Sequence, residues 1–407
     1  MLVLAACGGG GGNGPGSTKL DLVIGNSLPL TGSSKSLGES GRKASALALA
    51  QIRRAIASED ADHQVRIVNE DQGADPETAV ESARKLVSGD GASCLTGPWS
   101  SPAVARTARE ITVPGKVLEI SPVATGGDVA ELSDHDLVDS TALPVSAEGE
   151  ALAKAIEQDL GGAQGRTVNV VASNDTDSNT ITRDFTEAWQ DTDGSVGRQI
   201  VLPSQPSLLT SNSPDAILLI DDPVGLGQLA PALPGSGWDP SRVWGGDRLV
   251  LPGLAKEVGR DTVEGMRALA PGAPANGEST SAFVDALRSA EPRQVKPAPY
   301  AAQELDATTL CYLAAVAAGS TDGQEMADKL IDITAPGGTE YTWQQLPAAV
   351  KALEDGEDID YTGASGPLDM DVHGDPTNGV FDIYRYVHGG LERIGEVPVE
   401  RPNPATP

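Results

Sequence analysis

Aromatic residues make up only 3% of this 407-residue chain, so its cores must be built from Ala, Val, Leu and Ile. No run reaches the roughly 18 apolar residues that a membrane span requires. Basic residues are also scarce: 29 Lys and Arg face 58 Asp and Glu, a net charge of -29. That field repels phosphate backbones and excludes nucleic acid as a partner. The acidic surface itself reads as a solvated one. The four histidines, His63, His135, His373 and His388, are scattered, and none stands at metal-ligand spacing from a cysteine or another histidine. No metal and no cofactor is expected.

The chain is long enough for two lobes with separate cores. Near its start it reads Leu4-Ala5-Ala6-Cys7, then Gly8 to Gly12, Asn13, Gly14, Pro15 and Gly16. Small residues before a cysteine suit a signal peptidase, and Cys7 is the side chain there that can take a lipid. A two-chain lipid anchors durably, at about 0.8 kcal/mol per buried methylene. The glycine run makes a tether, because ordering glycine costs the most backbone entropy. Cys7 is therefore expected to be lipidated, with the body held at the membrane on its extracytoplasmic side. A signal also needs a charged n-region and an apolar core of about 7–15 residues. Only Leu2 to Ala6 precede Cys7, so Met1 reads as a misplaced start. Cys94 and Cys311 remain. They form either a disulfide closing a loop of more than 200 residues, worth about 4–5 kcal/mol on an entropic account, or two buried thiols.

Short β-rich runs alternate with helical ones. Strands are expected at 20–27, 64–69, 92–96 and 116–120, with helices at 38–56, from Asp75-Pro76, and at 102–111. A second series repeats the alternation from 147 to 244, with three prolines weakening the helix due between 203 and 215. The segment 279–354 is mostly helical. The end reads as two strands joined at His388-Gly389-Gly390, a hairpin turn. Such alternation marks α/β architecture: two doubly wound, parallel-sheet lobes. Ligands of such sheets bind at the carboxyl ends of strands, which here would line a cleft.

Two βα loops carry hydroxyls towards that cleft. In Gly97-Pro98-Trp99-Ser100-Ser101-Pro102, Ser101 suits an N-cap and Pro102 a first helical residue. Free amides at a helix start suit a carboxylate. The next loop, Ser121-Pro122-Val123-Ala124-Thr125-Gly126, brings Thr125 beside it. Gly225-Leu226-Gly227-Gln228-Leu229-Ala230 matches a dinucleotide fingerprint, with Asp247 about twenty residues on. It lies deep in the second series, and Asp221-Asp222 would repel a pyrophosphate. Asp369-Met370-Asp371-Val372-His373-Gly374 begins like a calcium loop but ends on Val380 where an EF-hand needs glutamate. No residues assemble a nucleophile, a base and an orienting group, so no catalytic residue and no enzyme activity are expected.

The run Leu28-Pro29-Leu30-Thr31-Gly32, then Gly97 to Ser101, then Ile120 to Thr125, resembles the branched-chain amino acid family of ABC-transporter substrate-binding proteins. The tail, Asp358 to Asp369 and then Gly374-Asp375-Pro376, carries the same resemblance. It spans nearly the whole chain from Leu20 to about Gly395. It implies a type I periplasmic-binding fold with three hinge crossings. Lobe 1 would hold 19–143 and 267–343; lobe 2 would hold 144–266 and 344–395. Residues 1–18 would be signal remnant, lipobox and tether, and 396–407 a tail. It further implies a monomer that captures a small amino-acid-like solute, closes, and docks on an ABC permease. A ligand-sensing module acting on a receptor and, behind it, a nicotinamide-dependent enzyme are the alternative readings.

Position by position, the resemblance puts Ser100 or Ser101 and Thr125 on the ligand carboxylate. It puts the Val123 carbonyl and Asp247 on the amine, and Leu37 in the wall. Two departures concern specificity. Relatives that bind apolar amino acids often have aromatics where this chain has Asp177 and, in the loop Asp221-Asp222-Pro223, Asp222. Unpaired buried carboxylates are costly. Asp177 and Asp222 therefore face water or a solute bearing positive or hydroxyl groups.

Overall fold

The computed structural model of the chain describes residues 18–124, 126–130, 132–290 and 298–401. Cys7 and Thr125 lie outside the described residues. The first sheet contains β1 (Leu20–Leu28), β2 (His63–Asp71), β3 (Cys94–Thr96), β4 (Leu118–Ser121) and β5 (Val138–Ser140), in the order β2-β1-β3-β4-β5, all parallel. The second contains β6 (Thr167–Ala172), β7 (Ser195–Val201), β8 (Ala216–Ile220), β9 (Val243–Gly245), β10 (Arg267–Pro271) and two late strands. Between them in sequence, β11 (Thr339–Thr342) and β12 (Ile359–Thr362) make a small parallel pair. The late strands, β13 (Asn378–Val387) and β14 (Gly390–Glu400), complete the order β14-β13-β10-β9-β8-β6-β7.

Local sequence accounts for these elements. In β8 every residue is buried, and alternate side chains enter opposite cores: Ala216, Leu218 and Ile220 one, Ile217 and Leu219 the other. Such a run belongs in the middle of a parallel sheet covered on both faces. The edge strand β7 is mostly exposed. The helix Lys35–Glu59 buries Ala44, Ala48, Ile52 and Ala55, one stripe at helical spacing. Asp75 caps the helix Pro76–Arg84, accepting from the Glu77 and Thr78 amides. The prolines of 203–215 leave only one helical turn, Pro206–Leu209. His388 (φ 54°) and Gly389 (φ 73°) turn β13 into β14.

The two-lobed α/β architecture is present, and the chain passes between the sheets three times, at 141–144, 272–277 and 371–377. Two details differ from expectation. The second sheet is mixed, because β13 runs antiparallel to both β10 and β14. The lobe boundaries also move. β10, at 267–271, hydrogen-bonds inside the second sheet rather than opening a return to the first. The helix Leu346–Glu354 and β12 pack into the first lobe's core with the helices Glu278–Ala290, Ala301–Ala318 and Gly323–Thr334. The second lobe resumes only at β13, and β14 takes in residues 396–400 of the expected tail.

The helix Ala301–Ala318 is buried from Ala301 to Val316 and runs through the first lobe's core. Within it Cys311 is joined to Cys94 of β3 by a disulfide, with Cα atoms 5.9 Å apart. Asp306, on the same helix, accepts from the Ala364 and Ser365 amides, the Ser365 hydroxyl and the Tyr361 hydroxyl. That explains the Tyr361 to Gly366 motif: it wraps one buried carboxylate.

Several buried carboxyls, two glutamates of the first lobe among them, set how stability varies with pH. Burial lifts Glu119, on β4, from the usual 4.5 to about 8, against a hydrogen bond from Thr112. Burial lifts Glu304 likewise to about 8, against Thr96. A group raised in the fold favours its neutral form there. The associated stability is complete below pH 4.5 and lost as pH climbs through 8. Lowered groups such as Glu264, held near 2 by Arg260 and two backbone amides, act only at acid pH. The thermal midpoint is expected to fall steadily from pH 5 to pH 8.5. Glu119→Gln with Glu304→Gln should flatten that slope; an unchanged slope would refute the assignment.

Candidate functional site

Loops at the carboxyl ends of the parallel strands in both sheets face one another across a cleft, and the two lobes touch there. On the first lobe, Gln72 holds the loop after β3 from both sides: its Oε1 accepts from the Trp99 amide at 2.7 Å and its Nε2 donates to the Trp99 carbonyl at 3.1 Å. The helix Ser101–Thr107 then begins one residue earlier than expected, with Ser100 at the N-cap and no side-chain capping bond. Ser101 is buried, and its hydroxyl accepts from the Gly126 amide at 3.0 Å. Ser101 thus ties two adjacent βα loops together, while Ser100 is exposed at the helix start.

The second lobe answers with charge. Asp177 reaches across to accept from the Gly127 amide at 2.8 Å. A Cβ on Gly126 would stand 2.7 Å from both Asp177 oxygens and from Ser101 Cβ, so this approach requires glycine. Arg248 bonds Asp177 at 2.7 Å and grips Asp175 with two nitrogens at 3.2 and 3.3 Å. Next to it, Asp247 accepts from the Tyr300 hydroxyl of the first lobe at 3.1 Å. The Asp247 amide donates to Glu148, whose carboxylate is buried on the helix Val145–Leu160. Burial, then repulsion from Asp247, pushes Glu148 well above the usual carboxylate range. Burial also raises Asp247, against Arg248 and Tyr300.

Beside this polar row lies an apolar one drawn from both lobes. Leu28, Leu37, Trp99 and Tyr300 of the first pack on Val250, Ala268, Ala270 and Tyr384 of the second, with Val123 half-buried against them. Trp99 meets Tyr300 edge to face, centroids 6.1 Å apart. On the hinge side of Tyr300 opens a cavity of about 720 Å³, lined by Phe283, Gln303, Tyr384 and Arg393 among others.

The expected residues Ser101, Val123, Asp177, Asp247 and Leu37 thus converge on one cleft. Asp222 does not join them. It is exposed and caps the helix Pro223–Leu229, accepting from the Gly225 amide at 2.8 Å. The same bond occupies an amide that a bound pyrophosphate would need, which removes physical support from the dinucleotide reading of that loop. Arg248, Glu148, Asp175 and Tyr300 are additional members of the site. The basic residue directly after Asp247 is the one local signal that could have pointed to Arg248.

Residues 21–373 match the family described as "Periplasmic binding protein". No curated protein matches the sequence. Among solved structures the fold is similar to a leucine binding protein from Thermotoga maritima, with a TM-score of 0.71 and 19% identity over 92% of this chain and 98% of that one. It is similar to the branched-chain amino acid transporter substrate binding protein of Streptococcus pneumoniae in complex with isoleucine (TM-score 0.69, 19% identity, 93% and 99% covered). It is also similar to an ABC transporter solute binding protein from R. palustris in complex with benzoate (TM-score 0.62, 18% identity, 94% and 98% covered). At these identities the likeness shows the fold. Among the described residues no helix is long and apolar enough to cross a membrane.

Proposed function

Because the chain belongs to the periplasmic binding protein family, we propose that it is the solute-binding subunit of an ABC importer. It captures a small amino-acid-like solute between its lobes, works as a monomer outside the cytoplasm, and is anchored through a lipid on Cys7. The observation that carries this reading is the row Glu148, Asp247 and Tyr300, which reaches from one lobe to the other across the cleft. Two carboxylates and a phenol form an acceptor set for an ammonium group, and charge-assisted hydrogen bonds are the strong ones. Leu37, Trp99 and Val123 offer the apolar wall for the rest of the solute.

The same geometry favours a solute with a positive or hydroxyl-bearing side chain. Asp177 already supplies a carboxylate to the Gly127 amide, next to the position expected to hold a solute carboxylate. A purely aliphatic side chain would leave Asp177 and Asp175 with Arg248 as their charge partner and nothing more. Solute contacts made to both lobes exist only in the closed state, so binding shifts the population towards closure. Relatives of this fold binding leucine, isoleucine and benzoate show the range of solutes such a cleft can take.

The test is a thermal-shift screen against neutral, hydroxylated and cationic amino acids, amides, polyamines and short-chain acids. A solute at a hundred times its dissociation constant adds about 2.7 kcal/mol. Asp247→Ala should weaken the best hit about 100-fold, because truncating one partner of a charged hydrogen bond costs 2 kcal/mol or more. If only leucine-like solutes bind, the polar specificity is wrong. If Asp247→Ala binds as tightly as the parent, the solute lies elsewhere.

A further inference from the structure

All three crossings between the lobes run past one buried side chain. Gln303 stands in the first turn of the helix Ala301–Ala318, in the first lobe, and is 3% exposed. Its Nε2 donates at 2.7 Å to the carbonyl of Gly272, the first residue of the second crossing. Its own carbonyl accepts at 2.9 Å from the hydroxyl of Thr141, the first residue of the first crossing. Pro376, of the third crossing, borders the same small void as Gln303, Thr141 and Gly272. Gly272 is gripped from both sides, since its amide donates at 2.9 Å to the carbonyl of Val380 on β13 of the second lobe. A Cβ there would stand 2.3 Å from Asp382 Cγ, so the approach requires glycine. The bond from Gln303 to Gly272 therefore joins the first lobe to the point where the second crossing leaves the second.

The same turn of helix carries the first lobe's reach across the cleft. Tyr300, directly before the helix, donates its hydroxyl to Asp247 of the second lobe. It does so from φ 65° and ψ 3°, a left-handed conformation that is uncommon and costly for an aromatic residue. Such a conformation persists only where its surroundings fix it. Glu304, next to Gln303, accepts at 3.0 Å from the hydroxyl of Thr96, the last residue of β3 before the cleft loop. One helical turn thus reaches the second lobe through Tyr300, two crossings through Gln303, and the strand leading into the cleft through Glu304.

We infer that Gln303 is a positioning residue that sets how firmly the lobes close, by pinning the crossings to the turn that presents Tyr300. With the lobes in contact, the Gly272 carbonyl is paired with Gln303. When the second lobe swings away, that carbonyl can turn to water instead. Without the Gln303 donor, the closed arrangement would bury an unpaired carbonyl and the open one would not. A buried acceptor with no donor is costly, so the loss falls on the closed state. The inference rests on the proposed function for the use of closure: a solute held between closed lobes would lose affinity by the same factor. Its test needs no solute.

Hydrogen exchange followed by NMR on the intact protein reads closure directly. The Gly127 amide donates to Asp177 across the cleft, so its protection depends on the lobes staying together. The amides of β1 and β8, each inside its own sheet, report the stability of the two lobes themselves. Gln303→Met keeps a long unbranched side chain and removes the donor. It is expected to speed exchange at Gly127 about tenfold, the equivalent of about 1.4 kcal/mol, with β1 and β8 unchanged. Thr141→Val removes only the bond to the Gln303 carbonyl and should speed Gly127 by a smaller factor; it carries the test if Gln303→Met does not fold. Unchanged exchange at Gly127 overturns the proposal. So does equal acceleration at Gly127, β1 and β8, which would make Gln303 a residue of the fold and not of closure. A cleft that takes up no amino acid would count against the proposed function and leave the exchange result standing.

Discussion

Replacing Arg248 with alanine is expected to leave the protein folded but unable to hold its cleft together. The guanidinium bridges Asp175 and Asp177, and Asp247 and Glu148 lie beside it. Without it four carboxylates share one region with no cation between them. Breaking a fully buried pair by removing one partner costs about 3–5 kcal/mol. The Arg248 side chain keeps 31% of its exposure, so solvent screening reduces this to about 2–3 kcal/mol. Denaturant melts should show that loss. Small-angle scattering should show a wider molecule, because repulsion now acts on Asp177, which bonds Gly127 of the other lobe. Adding Asp177→Asn should recover a large part of the stability. Arg248→Lys should recover less, since a point charge cannot make the forked contact with Asp175. A variant as stable and compact as the parent would show that Arg248 is a surface residue with incidental partners.

The largest effect on stability is expected from the disulfide. Cys94 and Cys311 are 217 residues apart, and a cross-link closing so long a loop restricts the unfolded chain by about 5 kcal/mol on the entropic account. Both sulfurs are buried in the first lobe, linking its central strand β3 to the helix that crosses its core. Cys94→Ser with Cys311→Ser, or reduction of the parent, should lower the melting midpoint by on the order of 10 °C. A serine pair adds two buried hydroxyls, so Cys94→Ala with Cys311→Ala separates that cost from the lost cross-link. Reduction is expected to be slow without denaturant, because neither sulfur is exposed. Equal midpoints for oxidised and reduced protein would mean that the unfolded chain gains little freedom from losing the link.

What the sequence reveals depends on how far apart the partners lie. The strand β8 is legible because five apolar residues in a row suit only a sheet covered on both faces. Asp75 is legible as a cap because Asp-Pro is a local pattern, and the same pair at Asp222-Pro223 carries the same meaning. Asp222 follows that local rule and caps its helix, and so stands outside the ligand wall. The lobe boundaries were not legible, because β10 takes its neighbour from β13, more than a hundred residues on, and nothing near 267 announces it. In the cleft, Asp247 emerges from the resemblance. Its partners Glu148 and Tyr300 lie 99 and 53 positions away, beyond any periodicity. Ser101 was legible as a helix-start residue, but not as the tie to Gly126.

The placing of β13 and β14 also governs how the protein can be made. β10 lies between β9 and β13, so the second sheet keeps an unpaired edge until the last hairpin emerges. The first lobe cannot finish earlier than its own late helices, which end at Glu354. A nascent chain of some 350 residues therefore holds two incomplete cores at once. Neither lobe can complete its core while its C-terminal part is still on the ribosome. The same feature makes the final strands the place where a premature stop does the most harm. A chain ending near 377 would present the open edge of β10 to its neighbours, and aggregation by strand pairing would follow.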